Sequence, residues 1–232
     1  MKNQYYGDIN DYRKYGLLRC LAREGLSIGI CWMLTERDES TDGVKTEYLS
    51  KPQKWQFFDP MLFDCLYYDV KVSEKRAVAQ VEFNHLFTNS TFFNEHVPIV
   101  RLDRDKYISR ALDTLGNVDL VFFDPDNGFE VSTTRYDSKD STKYVFWSEA
   151  ASVYLQGHSM LVYQHYPREN RDLFHTRLYN AVLEHMPSAK VFIFRAASVA
   201  FVLMVRPEHS CQISQAVQRV ITQWKSQIVQ VK

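Results

Sequence analysis

Residues 118–130 read VDLVFFDPDNGFE, and the rest of the fold can be argued outward from them. Residues 120–123 form a short run of β-branched and aromatic side chains, which predicts a buried strand of a parallel sheet. The next residues are polar. Because Pro125 fixes φ and lacks an amide donor, and Gly128 permits a left-handed bend, we expect the strand to end before Asp124.

Carboxylates follow this strand at the edge where parallel sheets bind ligands. In an open α/β sheet, ligands lie in the crevice outside the carboxyl ends of the strands. Asp124, Asp126 and Glu130 are therefore expected to face that crevice. Asp, Asn, Pro and Gly are also ordinary turn residues, so a plain strand end is the alternative. A carboxylate directly after a buried strand is costly unless it is used, which favours the functional interpretation.

Strands and helices alternate on both sides of this segment. Helices of ten or more residues between strands favour a mostly parallel sheet covered on both faces. The last two strands, 190–195 and 200–205, are joined so closely that they are predicted to pair as an antiparallel hairpin. Residues 45–58 fit either a surface hairpin or an irregular connection. The other predicted strands are 27–35, part of 92–100 and 159–163, and the predicted helices are 11–24, 60–68, 73–86, 104–115, 143–155, 171–186 and 214–228.

Composition indicates a folded chain without a membrane segment. The 232 residues include 14 Tyr and 15 Phe, few Gly and Pro, and a formal net charge of zero. Disorder and a uniformly basic surface for nucleic acid are therefore excluded. The first residues lack the apolar stretch of a signal peptide, and no apolar run reaches membrane-spanning length. The four cysteines are widely spaced without a CxxC pair, which is typical of buried reduced thiols, so we expect a cytoplasmic protein.

The order strand, DP loop, helix, strand, helix and terminal hairpin resembles the second half of Rossmann-like S-adenosylmethionine-dependent methyltransferases. The segment DPDNGF is similar to the D-P-P-[YF] motif of the amino-group methyltransferases that act on adenine or cytosine. The resemblance implies a three-layer, Rossmann-like α/β fold with a mostly parallel seven-stranded sheet and a C-terminal antiparallel hairpin. The length of 232 residues and the lack of a dividing linker predict a single domain over 1–232, with an irregular insertion near 36–58.

The same resemblance implies that the loop after the central strand binds an extruded base of DNA or RNA. Asp124 then holds the exocyclic amine, Pro125 shapes the loop, and Asp126 is a further catalytic candidate. Asp126 and Asn127 stand where the motif has its second proline and its aromatic residue. Asn127 is therefore a candidate for binding the base, and Phe129 is the expected stacking residue.

A second segment, RKYGLL at 13–18, is similar to the G-K-Y-x-L-L segment that helps hold the methyl donor in Dam-type adenine methyltransferases. The resemblance makes S-adenosylmethionine the expected cofactor and Lys14 and Tyr15 candidate residues for binding it. The first predicted strand is followed by ERDESTDG rather than by a Gly-rich turn, so the usual close backbone approach to a nucleotide-type ligand is missing. Glu36 and Asp38 are the candidates to replace that turn.

Three basic side chains are expected near the same edge of the sheet. His165 follows the predicted strand 159–163, so it is expected beside Asp124, either as a general base or phosphate partner or as a structural histidine. Arg168 either binds a phosphate or carboxylate group or caps the next helix. Arg195 ends a buried strand, where a structural ion pair is the expected role.

Two other functions use the same residues. Asp124, Asp126 and Glu130, with the acidic segment 36–42, carry the oxygen ligands that Mg²⁺ prefers, which suits a metal-dependent nuclease or phosphodiesterase. The E-x-K half of common nuclease motifs is absent. The other alternative is a non-catalytic Rossmann-like module that assists a defence or modification system, and the missing Gly-rich turn favours it.

Overall fold

The computed structural model describes residues 1–36 and 43–232, and its strands coincide with short apolar runs of the sequence. They are β1 (Ile28–Cys31), β2 (Ser90–Phe93), β3 (Leu120–Phe123), β4 (Gly128–Phe129), β5 (Tyr144–Val145), β6 (Ser159–His165), β7 (Lys190–Arg195), β8 (Val199–Val205) and β9 (Val229–Gln230). Seven form the central sheet, in the order β2-β1-β3-β6-β8-β7-β9, and β4 pairs with β5 separately. Strands β2, β1, β3 and β6 are parallel neighbours, and β8 is antiparallel to β6 and β7. The sheet is therefore mostly parallel, with the predicted antiparallel hairpin.

Helices cover both faces of this sheet. They are α1 (Ile9–Ala22), α2 (Pro52–Trp55), α3 (Pro60–Tyr67), α4 (Ala79–Phe83), α5 (Arg101–Leu115), α6 (Trp147–Leu155), α7 (Arg171–His185) and α8 (Ser210–Gln223). Buried apolar side chains form two clusters. One joins the sheet to α1, α3 and α8, on what we call the α1 face, and the other joins it to α5, α6 and α7, on the α7 face.

Alternation along the strands decides which face a side chain joins. Leu120 and Phe122 of β3 lie in the cluster on the α1 face, whereas Val121 and Phe123 lie in the cluster on the α7 face. Successive side chains of a strand point to opposite faces. Asp124, directly after β3, therefore points to the α1 face.

Local sequence signals correctly predicted where several helices and one strand begin or end. Asp59 caps α3 by accepting a hydrogen bond from the amide of Leu62, and Pro60 takes the first helical position. Helix α5 ends at Gly116, whose φ of 68° requires a residue without a Cβ. The bounds of β3 agree with the prediction.

Three predicted helices are wrong in extent. Of 73–86 only Ala79–Phe83 is helical, because the Arg76 side chain donates to the carbonyls of Tyr6 and Gly43 and holds the preceding residues in an irregular connection. The helix predicted at 143–155 begins at Trp147, since the two residues of β5 pair with β4. The closing helix lies four to five residues earlier than predicted, at Ser210–Gln223.

Residues 45–58, predicted as a hairpin or an irregular connection, include short helical turns. A 3₁₀ turn at Glu47–Ser50, helix α2 and a second 3₁₀ turn at Gln56–Phe58 follow one another. Tyr48, Leu49 and Phe58 are buried in the cluster on the α1 face. This segment therefore contributes to the core.

Two further predictions concern the burial of the cysteines and the lack of a membrane-spanning segment. All four cysteines are free; Cys20 and Cys31 are buried, but Cys211 is exposed, contrary to the prediction, because it lies on the outer side of the first turn of α8. No helix in the described parts of the chain is long and apolar enough to cross a membrane.

Candidate functional site

A cavity of about 330 Å³, which we call the edge cavity, lies at the carboxyl ends of β3 and β6. Its walls are the first residues of the chain, the start of α1, and the loop that follows β3. Strand β1 has β2 on one side and β3 on the other. The strand order therefore reverses between β1 and β3, next to the pair of strands that end at the cavity. Open α/β sheets bind ligands at the carboxyl ends of their strands.

Lys14 of α1 is the centre of the charged wall of this cavity. It is 1% exposed, and its Nζ lies 2.6 Å from Asp124 Oδ2 and 2.6 Å from Asp11 Oδ1. Burial lowers the pKa of a lysine, but the two carboxylates outweigh that effect and raise the pKa of Lys14 above its ordinary value. Burial raises the pKa of Asp124, and Lys14 offsets this only in part because it is shared with Asp11.

Tyr15 and the backbone hold Asp11 in place. Asp11 Oδ2 accepts hydrogen bonds from the Tyr15 hydroxyl at 3.0 Å and from the amide of Gly7 at 3.1 Å. Tyr15 is fully buried and does not line the edge cavity. Its candidate role in binding the donor is therefore wrong as a direct contact, since its hydroxyl points to Asp11 inside the core. Sequence reasoning also missed Asp11, although its i,i+3 spacing to Lys14 was visible.

Asp126 is neutralised by a different partner. The amino nitrogen of Met1 lies 3.0 Å from Asp126 Oδ1, and the Thr35 hydroxyl donates to Oδ2 at 2.8 Å. The ammonium of Lys2 is 3.8 Å from Oδ2. Burial raises the pKa of Asp126, but the Met1 ammonium and Thr35 outweigh it and hold the pKa below its ordinary value. Asp126 is therefore ionised at neutral pH.

Asp8 caps α1 and also lines the edge cavity. Its Oδ1 accepts the amides of Asn10 at 2.8 Å and Asp11 at 2.9 Å. Burial, followed by the neighbouring Asp11 carboxylate, raises the pKa of Asp8 from 3.8 to about 6. The cavity wall thus carries a carboxyl group that titrates only about one unit below neutral pH, and the sequence analysis had not selected it.

His165 reaches the same cavity from β6, as predicted. Strands β3 and β6 are parallel neighbours, with Phe123 paired to Val162, so the residues that follow them share one edge of the sheet. His165 and Asp124 both line the edge cavity. His165 Nε2 lies 3.2 Å from the Tyr163 hydroxyl. The expected juxtaposition of the carboxylate and the imidazole is confirmed.

Phe129 faces a second cavity of about 330 Å³ on the α7 face. We call it the aromatic cavity because its ring-bearing lining residues are Phe129, Tyr144, Trp147, His165, Tyr166 and Phe174. The ring of Phe129 stacks on that of Trp147 at 4.0 Å between centroids, with 5° between the planes. Its expected stacking on a base in the edge cavity is therefore wrong, since Trp147 already covers the ring in the core.

Gly128 explains why Phe129 turns away. A Cβ at Gly128 would lie 2.3 Å from Gln164 Oε1, and its φ is 118°. Gln164 Oε1 accepts the amide of Phe129 at 2.9 Å. Asn127 lies between the two cavities and lines both. Among the described residues its side-chain amide has no hydrogen-bond partner, so it is available to a ligand.

The remaining predicted site residues lie at different distances from the cavity. Pro125 lines it, as expected for the DP loop. Glu36 and Arg168 are exposed and are not among its lining residues, because each lies on the outer side of a loop. Asp38 lies outside the described residues.

The carboxylates of the DP loop have cationic partners in the protein. Within residues 1–36 and 43–232, no group of three or more His, Cys, Asp or Glu side chains could hold one. Asp124 and Asp126 are paired with ammonium groups instead. Comparison of the sequence with protein-family models and with curated proteins finds no match.

Proposed function

We propose that this chain is an S-adenosylmethionine-dependent methyltransferase with a Rossmann-like fold that transfers a methyl group to an exocyclic amino group of a nucleic-acid base. The observation that carries the proposal is the contact between Lys14 and Asp124. RKYGLL and DPDNGF, the two segments that resemble such enzymes, lie about 110 residues apart in the chain. They meet at 2.6 Å on the wall of one cavity.

The strand order supports the same proposal. The methyltransferase resemblance implies a mostly parallel sheet with a C-terminal antiparallel hairpin, and β7 and β8 pair in this way. The cavity lies at the carboxyl ends of the parallel strands β3 and β6, and ligand sites of open α/β sheets lie at the carboxyl ends of the strands. Its volume of about 330 Å³ is at the lower end of the range for small-molecule sites.

The residues of the edge cavity suit the charged end of the donor. Lys14 and Lys45 are cations that can meet its carboxylate, and Asp8 is a carboxylate that can meet its ammonium. Tyr5 and Val44 add apolar surface to the same wall. When bound, S-adenosylmethionine supplies a methyl group on a positively charged sulfur.

The chain's own residues then act on the amino group. Asp124 accepts a hydrogen bond from the exocyclic amine, and this orients the nitrogen for attack. The N–C bond forms as the S–C bond breaks, so the nitrogen must release a proton. His165 lies at the same edge and is the base in position to take that proton. The amide of Asn127 offers both a donor and an acceptor to the edge of the base.

The test is calorimetric titration of the native protein with S-adenosylmethionine and S-adenosylhomocysteine, together with mass spectrometry of DNA and RNA incubated with the protein and donor. We expect both compounds to bind and N-methylated adenine or cytosine to appear. Asp124→Asn is expected to retain donor binding and to lower methyl transfer by about 100-fold or more. The matched control is Asp172→Asn, since Asp172 is exposed on α7, outside the edge cavity.

Two results overturn the proposal. One is the absence of binding for both donor compounds. The other is equal methyl transfer by the native protein and Asp124→Asn. Donor binding without methylation of any nucleic acid favours the non-catalytic module instead.

A further inference from the structure

Arg195 is a half-buried cation on the α7 face, and no partner for its guanidinium is found among the described residues. It ends β7, opposite Ala200 of β8. Within residues 1–36 and 43–232 its guanidinium has no carboxylate within 4.0 Å and makes no hydrogen bond. The structural ion pair expected from the sequence is therefore not present among the described residues. A half-buried guanidinium without a counter-charge is costly, which points to an anion that the described part of the chain does not supply.

Two further cations share its surroundings. Arg171 donates to the carbonyl of Ala197 at 2.8 Å, in the turn that follows Arg195. Its guanidinium also lies over the ring of Tyr166, 4.7 Å from the centroid. Burial lowers the pKa of His175, and Arg195, Arg171 and Lys232 lower it further although Asp172 opposes them. We call Arg171, Arg195 and Lys232 the basic cluster.

Nearby carboxylates do not balance the basic cluster. Glu169 forms an ion pair with Arg177, so it is already used. Asp172 lies 3.9 Å from His175 Nδ1, but its side chain is 91% exposed and its charge is screened by solvent. The cluster is therefore a local positive region in a chain of zero net charge.

Tyr166 connects this positive region to the aromatic cavity. The guanidinium of Arg171 lies over its ring, and Tyr166 also lines that cavity. The Tyr166 hydroxyl lies 2.8 Å from His175 Nε2. A ligand placed across Tyr166 meets aromatic rings on one side and guanidinium groups on the other. One nucleotide unit has the same two parts, since a base stacks on aromatic rings and a phosphate pairs with arginine.

We propose that the basic cluster binds the phosphodiester backbone of single-stranded nucleic acid while a base of the same strand enters the aromatic cavity. The choice of nucleic acid over another polyanion rests on the proposed function, and the inference adds that the substrate is an unpaired strand held on the α7 face. Asn127 and His165 line both cavities, so the strand would lie next to the edge cavity.

The test measures binding without any methyl donor, so it is independent of catalysis. Fluorescence anisotropy follows a labelled single-stranded oligonucleotide against the native protein, Arg195→Gln, Arg171→Gln and the control Arg219→Gln, each with its melting temperature. Arg219 lies on α8 and pairs with Glu24, on the opposite face of the sheet. The control therefore removes the same charge away from the cluster.

We expect Arg195→Gln and Arg171→Gln each to weaken binding by about tenfold. Each is also expected to reduce the slope of log K against log salt by about 0.7, as for the loss of one phosphate contact with a single strand. Arg219→Gln is expected to bind as the native protein does.

Three results overturn the inference. They are no binding of the oligonucleotide at low salt, equal binding by Arg195→Gln and Arg219→Gln, and binding of anionic vesicles that depends on Arg195 when the oligonucleotide does not bind. Strand binding that depends on Arg195 but is followed by no methyl transfer supports the inference and counts against the proposed function alone. Methyl transfer together with strand binding that does not depend on Arg195 supports the proposed function and counts against the inference.

Discussion

Two buried ion clusters lie on opposite faces of the same sheet. On the α1 face, Lys14 is 1% exposed and pairs with Asp11 and Asp124. On the α7 face, Arg104 of α5 is completely buried and pairs with Glu149 of α6 at 2.5 Å. Both clusters hold charge out of water, which is unfavourable unless the charges are well paired.

The surroundings of the two clusters differ. Arg104 also donates to the backbone carbonyls of Ser141 at 2.9 Å and of Tyr144, so protein atoms satisfy its donors on every side. Glu149 accepts the amide of Phe146, the residue that precedes α6, at 2.9 Å. Lys14 and Asp124 instead line the edge cavity. We call Arg104 and Glu149 the sealed cluster, because protein atoms enclose it, and we expect it to stabilise the connection before α6. We call Lys14, Asp11 and Asp124 the open cluster, because it lies beside a cavity and can exchange partners with a ligand.

Arg104→Met tests the sealed cluster and is expected to have the largest effect on stability. The substitution leaves Glu149 buried without its cationic partner. It also removes the hydrogen bonds from Arg104 to the carbonyls of Ser141 and Tyr144, which hold the connection before α6. We expect the free energy of unfolding to fall by about 4–5 kcal/mol, measured by urea denaturation. In the double variant with Glu149→Gln, which keeps the cap, most of that loss should return. A loss under about 1 kcal/mol for the single variant would show that the cluster is not a structural clamp.

Lys14→Met is the matching change at the open cluster. It leaves Asp11 and Asp124 close together without the ammonium that lies between them, so the pair takes up a proton more readily. We expect a loss of about 3–4 kcal/mol at pH 8 and a smaller loss at pH 5, because the protonated carboxyl is stable at the lower pH. Donor binding should disappear at both pH values. Equal losses at pH 5 and pH 8 would contradict this account.

The sequence predicted the open cluster better than the sealed one. Residues 120–123 formed the expected strand, and period-two alternation places Asp124 on the face that α1 covers. The pairing of Arg104 with Glu149 spans 45 residues and joins two helices through a register that no local pattern encodes. Residues 144–145 read as part of a helix, but pairing with β4 overrides that local preference.

The direction of Phe129 shows a second limit of sequence reasoning. The D-P-P-[YF] resemblance selected Phe129 as the nearest aromatic residue. The positive φ of Gly128 and the contact with Gln164 turn the chain so that Phe129 meets Trp147. A single glycine with positive φ therefore changes the direction of the chain at this point. Spacing along the sequence therefore locates the loop but not the directions of its side chains.

Asp8→Asn is expected to stabilise the protein, by an amount that grows as the pH rises from 3.8 to about 6. The native state holds the Asp8 proton more tightly than the unfolded chain does, so stability falls as the pH rises from 3.8 to about 6. Asn is as good a helix cap as Asp, so Asp8→Asn removes the buried charge and keeps the cap. We expect a gain of about 2–3 kcal/mol at pH 8 and no difference at pH 3.5. The control Asp172→Asn, at an exposed position in the first turn of α7, should show no such pH dependence in urea denaturation.

The smallest expected effect comes from removing one buried tyrosine hydroxyl on each face of the sheet. Tyr15 donates to the Asp11 carboxylate at 3.0 Å, and the hydroxyl of Tyr107 lies 3.4 Å from Cys31 Sγ; both tyrosines are fully buried. A hydrogen bond to a charged group contributes more than one to a thiol, so Tyr15→Phe should lose about 1.5–2 kcal/mol and Tyr107→Phe about 0.5 kcal/mol. Tyr15→Phe should also weaken donor binding, because Asp11 is then free to draw Lys14 away from Asp124. Tyr107 lies outside both cavities, so Tyr107→Phe should leave donor binding unchanged. An equal change of donor binding in the two variants would contradict the distinction between the open and the sealed cluster.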